Sequence, residues 1–198
     1  MPSPATEARA GGPRRSRQYL DALPVGLLSK PLAYLMADHL RQRVLCHVLD
    51  RLAEEDETDA GAAADVAWHL QHEMRLHVID EEEDLFPLLR RRGQGDEVVG
   101  EVLGRLALDH ELDAAMSREI VQGLAAVIAA PAGADMPEAL REVLRALARN
   151  QRQHVALENA VVIPLAKQRL TREDLRNLSL RMAARRGVMV RLKEHEPA

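Results

Sequence analysis

Two matching sets of side chains carry the chemistry of this sequence. His77-Val-Ile-Asp-Glu81 is a histidine with a glutamate four positions on, and Pro87 follows ten residues after the histidine. His154-Val-Ala-Leu-Glu158 repeats the arrangement, with Pro164 again ten residues on. Ahead of each stands an Asp-His pair, Asp38-His39 and Asp109-His110. The chain thus reads as two copies of a helix bearing one histidine followed by a helix bearing His-x3-Glu. Residues four apart share a helix face, about 6 Å apart along the axis, so an imidazole and a carboxylate so placed converge on one inward site.

Four such helices in an up-down bundle bring four imidazoles and two carboxylates to the core, more than one tetrahedral ion uses. Two metal ions are the natural occupancy. If Glu81 and Glu158 each bridge, one ion has His39 and His77, the other has His110 and His154, and both keep open positions. Imidazole and carboxylate without thiolate suit iron or manganese, and ligand type alone leaves zinc open. A single His-x3-Glu reads as a surface ion pair. Two in register with matching prolines read differently, because burying four histidines and two glutamates without a partner is costly.

The elements that must position these residues are helices. Aromatic residues are 2% of the chain (Tyr19, Tyr34, Trp68, Phe86), a poor supply for a sheet, while Ala, Leu, Arg and Glu dominate. Residues 1–18, rich in Pro, Gly, Ala and Arg, read as a disordered extension. A first helix follows Pro31 and ends in the acidic run EEDETDAG. A second runs from about Ala62 to Gly93 with cations in its last turn, and Pro87 is expected to bend or tighten it. A third follows GQGD and ends at APAGADMP; a fourth opens at Asp135 as cap, with Pro137 just inside, and runs to about Leu170. Thr171 with Asp174 then offers a capping signal for a shorter basic helix. The architecture expected is all-α: an up-down four-helix bundle over 19–170, with an appended C-terminal helix and tail over 171–198.

Length and composition bound the rest. At 198 residues with 46% hydrophobic and 29% charged content, the chain suits one domain with a sizeable core. A net charge of −4 supplies no global field for nucleic acid, so no nucleic-acid partner is expected. The single Cys46 excludes an internal disulfide framework and Cys-based zinc or iron-sulfur sites, and fits a reducing compartment. With no signal-peptide core and no run of 18 apolar residues, a soluble cytoplasmic protein without a membrane role is expected. The chain contains no Glu-x-x-His, His-Glu-x-x-His, Gly-x-Ser-x-Gly or Gly-x-Gly-x-x-Gly, which leaves ferritin-like, zinc-peptidase, hydrolase and dinucleotide-binding readings unsupported.

On these residues the sequence resembles the hemerythrin-like family, whose domain carries His, His-x3-Glu, His, His-x3-Glu on four antiparallel helices around a non-haem di-iron site. HVIDEEEDLFP and HVALENAVVIP resemble that family's second and fourth helices, LMADHLRQR and LALDHELDA its first and third, and the resemblance covers about residues 28–170. It implies His39, His77, Glu81, His110, His154 and Glu158 as ligands of two iron ions bridged by an oxo or hydroxo group, with Glu81 and Glu158 bridging. One position departs. The oxygen-carrying members have His-x3-His on the third helix, and here the position four after His110 is Ala114, which weakens the case for reversible oxygen carriage. Glu73, one turn before His77, is a candidate substitute ligand, to be tested by iron affinity in Glu73→Ala. The cysteine module that iron-sulfur repair members add at the N-terminus has no counterpart here. His47, His69, His72 and His195 are assigned structural or solvated roles.

Two functional readings follow. The first is a binding or sensing protein taking oxygen, nitric oxide or peroxide at the open positions, or reporting iron itself, inside an apolar shell of Leu35, Leu76, Leu106, Leu157 and Val161. The second is a di-iron redox enzyme of catalase-like, peroxidase-like or NO-reducing type, although no organic-substrate pocket is legible in the sequence. From Lys167 to Glu196 the chain carries nine Lys or Arg against four Asp or Glu, with Leu175, Leu178 and Met182 as an apolar stripe. That helix suits either packing on the bundle or docking of another subunit, a protein partner or an acidic polymer.

Overall fold

The computed structural model describes residues 20–93, 96–131 and 135–190; the extension over 1–18 and His195 lie outside them. A 3-10 turn, Val25–Ser29, leads into α1, Pro31–Glu54, which opens on its proline. Helix α2 occupies 60–92 and is built in pieces: Ala60–Gln71, Glu73–Ile79, a wide turn Asp80–Leu85, and Phe86–Arg92. Helix α3 is Glu97–Ala129; α4 occupies 138–169 as Glu138–Leu157, a wide turn Glu158–Val162, and Ile163–Arg169; α5 is Arg172–Arg185. The described residues contain no strand.

Side chains set the helix starts. The Asp59 carboxylate accepts from the Ala62 N–H at 3.0 Å and Asp96 from the Val99 N–H at 3.2 Å, each satisfying a first-turn donor. The start of α4 differs from the sequence expectation. Pro137, at ψ 137°, is itself the cap, and its carbonyl accepts from Leu140 and Arg141, so Asp135 stays outside the helix and caps nothing. Thr171 behaves as expected: its hydroxyl accepts from the Asp174 N–H at 3.1 Å, and Asp174 accepts from the Thr171 N–H at 2.9 Å. Thr171→Ala should lower stability by about 1 kcal/mol, read from the midpoint of urea unfolding; an unchanged midpoint would show that the cap is dispensable.

Burial reveals how the helices run. One apolar cluster takes Leu45, Leu49 and Leu52 from α1, Val66 and Leu70 from α2, Ile120 and Leu124 from α3, and Leu144 and Leu147 from α4. The other takes Leu35, Phe86 and Leu89, Leu103 and Leu106, and Ile163 and Ala166 from the same four helices. Numbering moves from the second cluster to the first along α1 and α3, and in reverse along α2 and α4. Four antiparallel helices follow. On each of them, the residues between the two clusters are those of the repeated pattern, so the histidines and glutamates form a polar layer sandwiched between two apolar cores.

The prolines act on this layer. A proline has no N–H, and its ring crowds the carbonyl four residues back, here that of Glu83 or Ala160. The chain answers by widening its turn. Phe86 N–H donates to the carbonyl of Glu81, and Ile163 N–H to that of Glu158, in both cases five residues back. Pro87 therefore widens α2 where the sequence suggested a bend or a tightening. The wide turn of α4 begins at Glu158, and that of α2 begins at Asp80, one residue before Glu81.

Helix α5 packs Leu178, Met182 and Ala183 into the second core, and Ser179 Oγ donates to the Leu28 carbonyl at 2.7 Å. Its arginines face the wide turn of α2: Arg185 and Arg186 each reach Asp80 at 2.7 Å, and Arg181 pairs with Asp84. The apolar stripe is thus largely spent on the chain's own core, and much of the basic face on its own carboxylates.

Candidate metal centre

All six residues of the repeated pattern are buried, at 4% exposure or less, and they meet in two overlapping groups. His39, His77, Glu81 and Glu158 form one; His110, His154, Glu81 and Glu158 form the other. In each group every residue turns one nitrogen or oxygen toward the rest, and the imidazole–carboxylate pairs, at 3.0–3.7 Å, suit ligands about 2 Å from a common ion. Both carboxylates belong to both groups. Glu81 lies 3.7 Å from His39 Nε2, 3.3 Å from His77 Nε2 and 3.5 Å from His110 Nε2. Glu158 lies 3.3 Å from His39 Nε2 and 3.0 Å from His154 Nε2.

The four Nε2 atoms and the four carboxylate oxygens face one another, and none has an aligned hydrogen bond. Orphaned buried polar atoms are rare because each costs free energy. Eight in one layer are the signature of a donor set awaiting cations, and the residues fit that role.

The outer nitrogens of two rings are hydrogen-bonded, and that of a third, on His77, faces a carboxylate. Asp38 Oδ2 lies 3.1 Å from His77 Nδ1, Asn159 Oδ1 2.9 Å from His39 Nδ1, and Glu82 Oε1 2.7 Å from His110 Nδ1. Such partners fix the tautomer and aim Nε2 inward. Glu82 and Asn159 are the residues directly after Glu81 and Glu158, so each wide turn supplies both an inward carboxylate and a support for an imidazole on another helix. Sequence reasoning missed this pair, although the repeat places both. Phe86, five residues after Glu81, lies parallel to the His110 ring at 6.0 Å. His154 lacks such a partner on Nδ1. Asp109 does not copy Asp38: it turns outward to Arg105.

Glu73 is not brought to the layer. Its Oε2 accepts from Arg41 Nη2 at 2.6 Å, and Arg41 Nε donates to Asp38 Oδ1 at 2.8 Å. Its work is to fix the arginine that fixes Asp38, and it stands in neither ligand group. The remaining histidines follow expectation in part. His47 is exposed and His72 stacks on Trp68, whereas His69 is 1% exposed and uncharged near neutrality, since burial and the Arg41 charge push it down to about 4. Of the expected apolar shell, Leu35 and Leu106 are fully buried, while Leu76, Leu157 and Val161 are half-buried.

Electrostatics in the layer favour a cation. Burial alone would push the His77 imidazole down, but the Glu81 and Asp38 carboxylates take it up to about 10. Burial, joined by the like charge of Glu81, pushes Glu158 up to about 8. Both shifts favour the protonated forms in the metal-free layer, and a metal must displace those protons. Loading with Fe2+ should therefore release protons and weaken as pH falls. Calorimetry in two buffers of different ionisation enthalpy measures the release, and equal heats in both would contradict it.

An antiparallel helical bundle whose core layer can hold cations defines the class, and comparison gives the family. The family model of the hemerythrin HHE cation-binding domain matches residues 30–166, and the chain belongs to that family. No curated protein matches the chain. Among the described residues, no helix is long and apolar enough to cross a membrane.

Proposed function

We propose that this chain is a non-haem di-iron protein that binds or senses a small molecule, oxygen, nitric oxide or peroxide, or iron itself. One ion is held by His39 and His77, the other by His110 and His154, with Glu81 and Glu158 bridging. The observation that carries this reading is the pair of overlapping ligand groups sharing both glutamates, with all eight inward donor atoms unsatisfied. Bound iron would supply a redox-active pair with positions left open by the protein. The chain's own part is to aim the imidazoles through Asp38, Asn159 and Glu82, and to exclude bulk water with the apolar clusters on either side. The lone, buried Cys46, its thiol pushed up to about 11 chiefly by burial, supports a reducing, cytoplasmic setting.

A second reading, a di-iron redox enzyme, is favoured by one specific feature. A cleft of about 640 Å³ between α2 and α3 reaches His110, and Ala114 lines it. No such pocket is legible in the sequence. With alanine at the position where oxygen-carrying relatives place a histidine, space stands where a ligand would be.

The test is an optical spectrum of iron-loaded protein, anaerobically reduced and then exposed to air, nitric oxide and peroxide. Near-ultraviolet bands that change reversibly with oxygen or nitric oxide support binding or sensing, and catalytic loss of peroxide supports the enzyme. A protein that takes up no iron overturns both.

A further inference from the structure

The cleft is far larger than the ligands named so far require. A water-sized molecule occupies about 30 Å³, whereas this space is about 640 Å³, within the range of pockets for whole organic molecules. It runs beside α2 from Leu70 to Ile79, about 13 Å at the rise of a helix.

Its lining is ordered by chemistry. Leu70, Met74, Val78 and Val121 supply apolar wall. Arg75 and Arg118 also line it; both are exposed, and neither makes an ion pair or hydrogen bond with a described residue. The two guanidinium groups outnumber the one carboxylate of the lining, Asp113, and leave the cleft a net positive field. The inner wall carries Gln151, 2% exposed. Its Nε2 donates to Asp113 Oδ2 at 2.7 Å, while its Oε1 has no partner. That oxygen is shielded from solvent, so Gln151 backs the wall through its contact with Asp113 rather than offering a contact to an occupant. The Asp113 carboxylate is already answered by Gln151 and by Asn150 at 3.4 Å, so it does not claim the arginines.

We propose that this cleft binds an amphipathic organic acid, its carboxylate held by Arg75 and Arg118 and its apolar body along Met74, Val78 and Val121. The proposal deepens the reading above, on which it rests for its functional meaning: the bound molecule lies beside His110 and the metal layer. Recognition itself needs no metal, because none of the groups that would contact the acid is a proposed ligand.

The experiment is calorimetric titration of the full, iron-loaded chain with straight-chain carboxylates from hexanoate to dodecanoate and the matching uncharged alcohols, with iron content measured on the same samples. Carboxylates should bind, and more tightly as the chain lengthens to the span of the cleft. Arg75→Gln with Arg118→Gln should weaken the acids roughly tenfold or more and leave the alcohols unaffected. Ala114→Trp, a change at an exposed helical position, should block every probe. Alcohols binding as tightly as acids, or acids indifferent to the arginine changes, would overturn the anion site. Normal iron content with no carboxylate binding would overturn the cleft proposal and leave the di-iron reading standing; binding by a chain that takes up no iron would do the reverse.

Discussion

Replacing Glu81 or Glu158 with alanine is expected to take bound metal from two ions per chain to one or none. Each carboxylate belongs to both ligand groups, and Glu81 approaches three imidazoles, those of His39, His77 and His110, at 3.3–3.7 Å. Loss of either glutamate removes a donor from both proposed ions at once. A histidine change removes one donor from one group, so His154→Ala should spare the His39–His77 group and cost less metal than Glu81→Ala. Elemental analysis of the purified variants measures this. Both glutamate variants keeping two ions would end the bridging assignment.

The second large effect is expected away from the ligands. Asp80 and Asp84 are buried at 0% and 3% exposure in the wide turn that starts beside Glu81, and the arginines of α5 provide their counter-charge. Arg185 reaches Asp80 and Asp84, and also Glu83 at 3.5 Å. Breaking a buried pair from one side leaves an uncompensated charge and costs about 3 kcal/mol. Arg185→Ala should lose less than that, about 2 kcal/mol in urea unfolding, because Arg186 still faces Asp80 and Arg181 still faces Asp84, so each carboxylate loses one of its counter-charges. A loss below about 1 kcal/mol would put the pairs with ordinary surface bridges. The expected loss would show that the appended helix holds the turn carrying Glu81.

The candidate centre was legible because its determinants are local. A helix turns its chemistry into spacing, so His77 with Glu81 and His154 with Glu158 announce one face each, and the repeat announces that the faces belong together. What escaped depends on contacts between distant residues. Asp80 and Asp84 sit in an acidic run and Arg181 and Arg185 in a basic one; each alone reads as a solvated face, and only the fold brings them together. Glu73 had the right spacing from His77 for a ligand, but Arg41, 32 residues earlier, claims it. The wide turns depend on how the backbone absorbs Pro87 and Pro164, a choice among bending, tightening and widening that a proline alone does not specify. The cleft is a space, and Ala114 gives no sign of one until α2 is set against α3.

The central claim is that one layer of this bundle holds two iron ions. The most direct measurement is metal content per chain after anaerobic loading of the full protein with Fe2+ and removal of free metal. The account predicts two irons per chain. A chain that retains no metal, or one tightly held zinc, would contradict it and leave the repeated histidines and glutamates with a structural role.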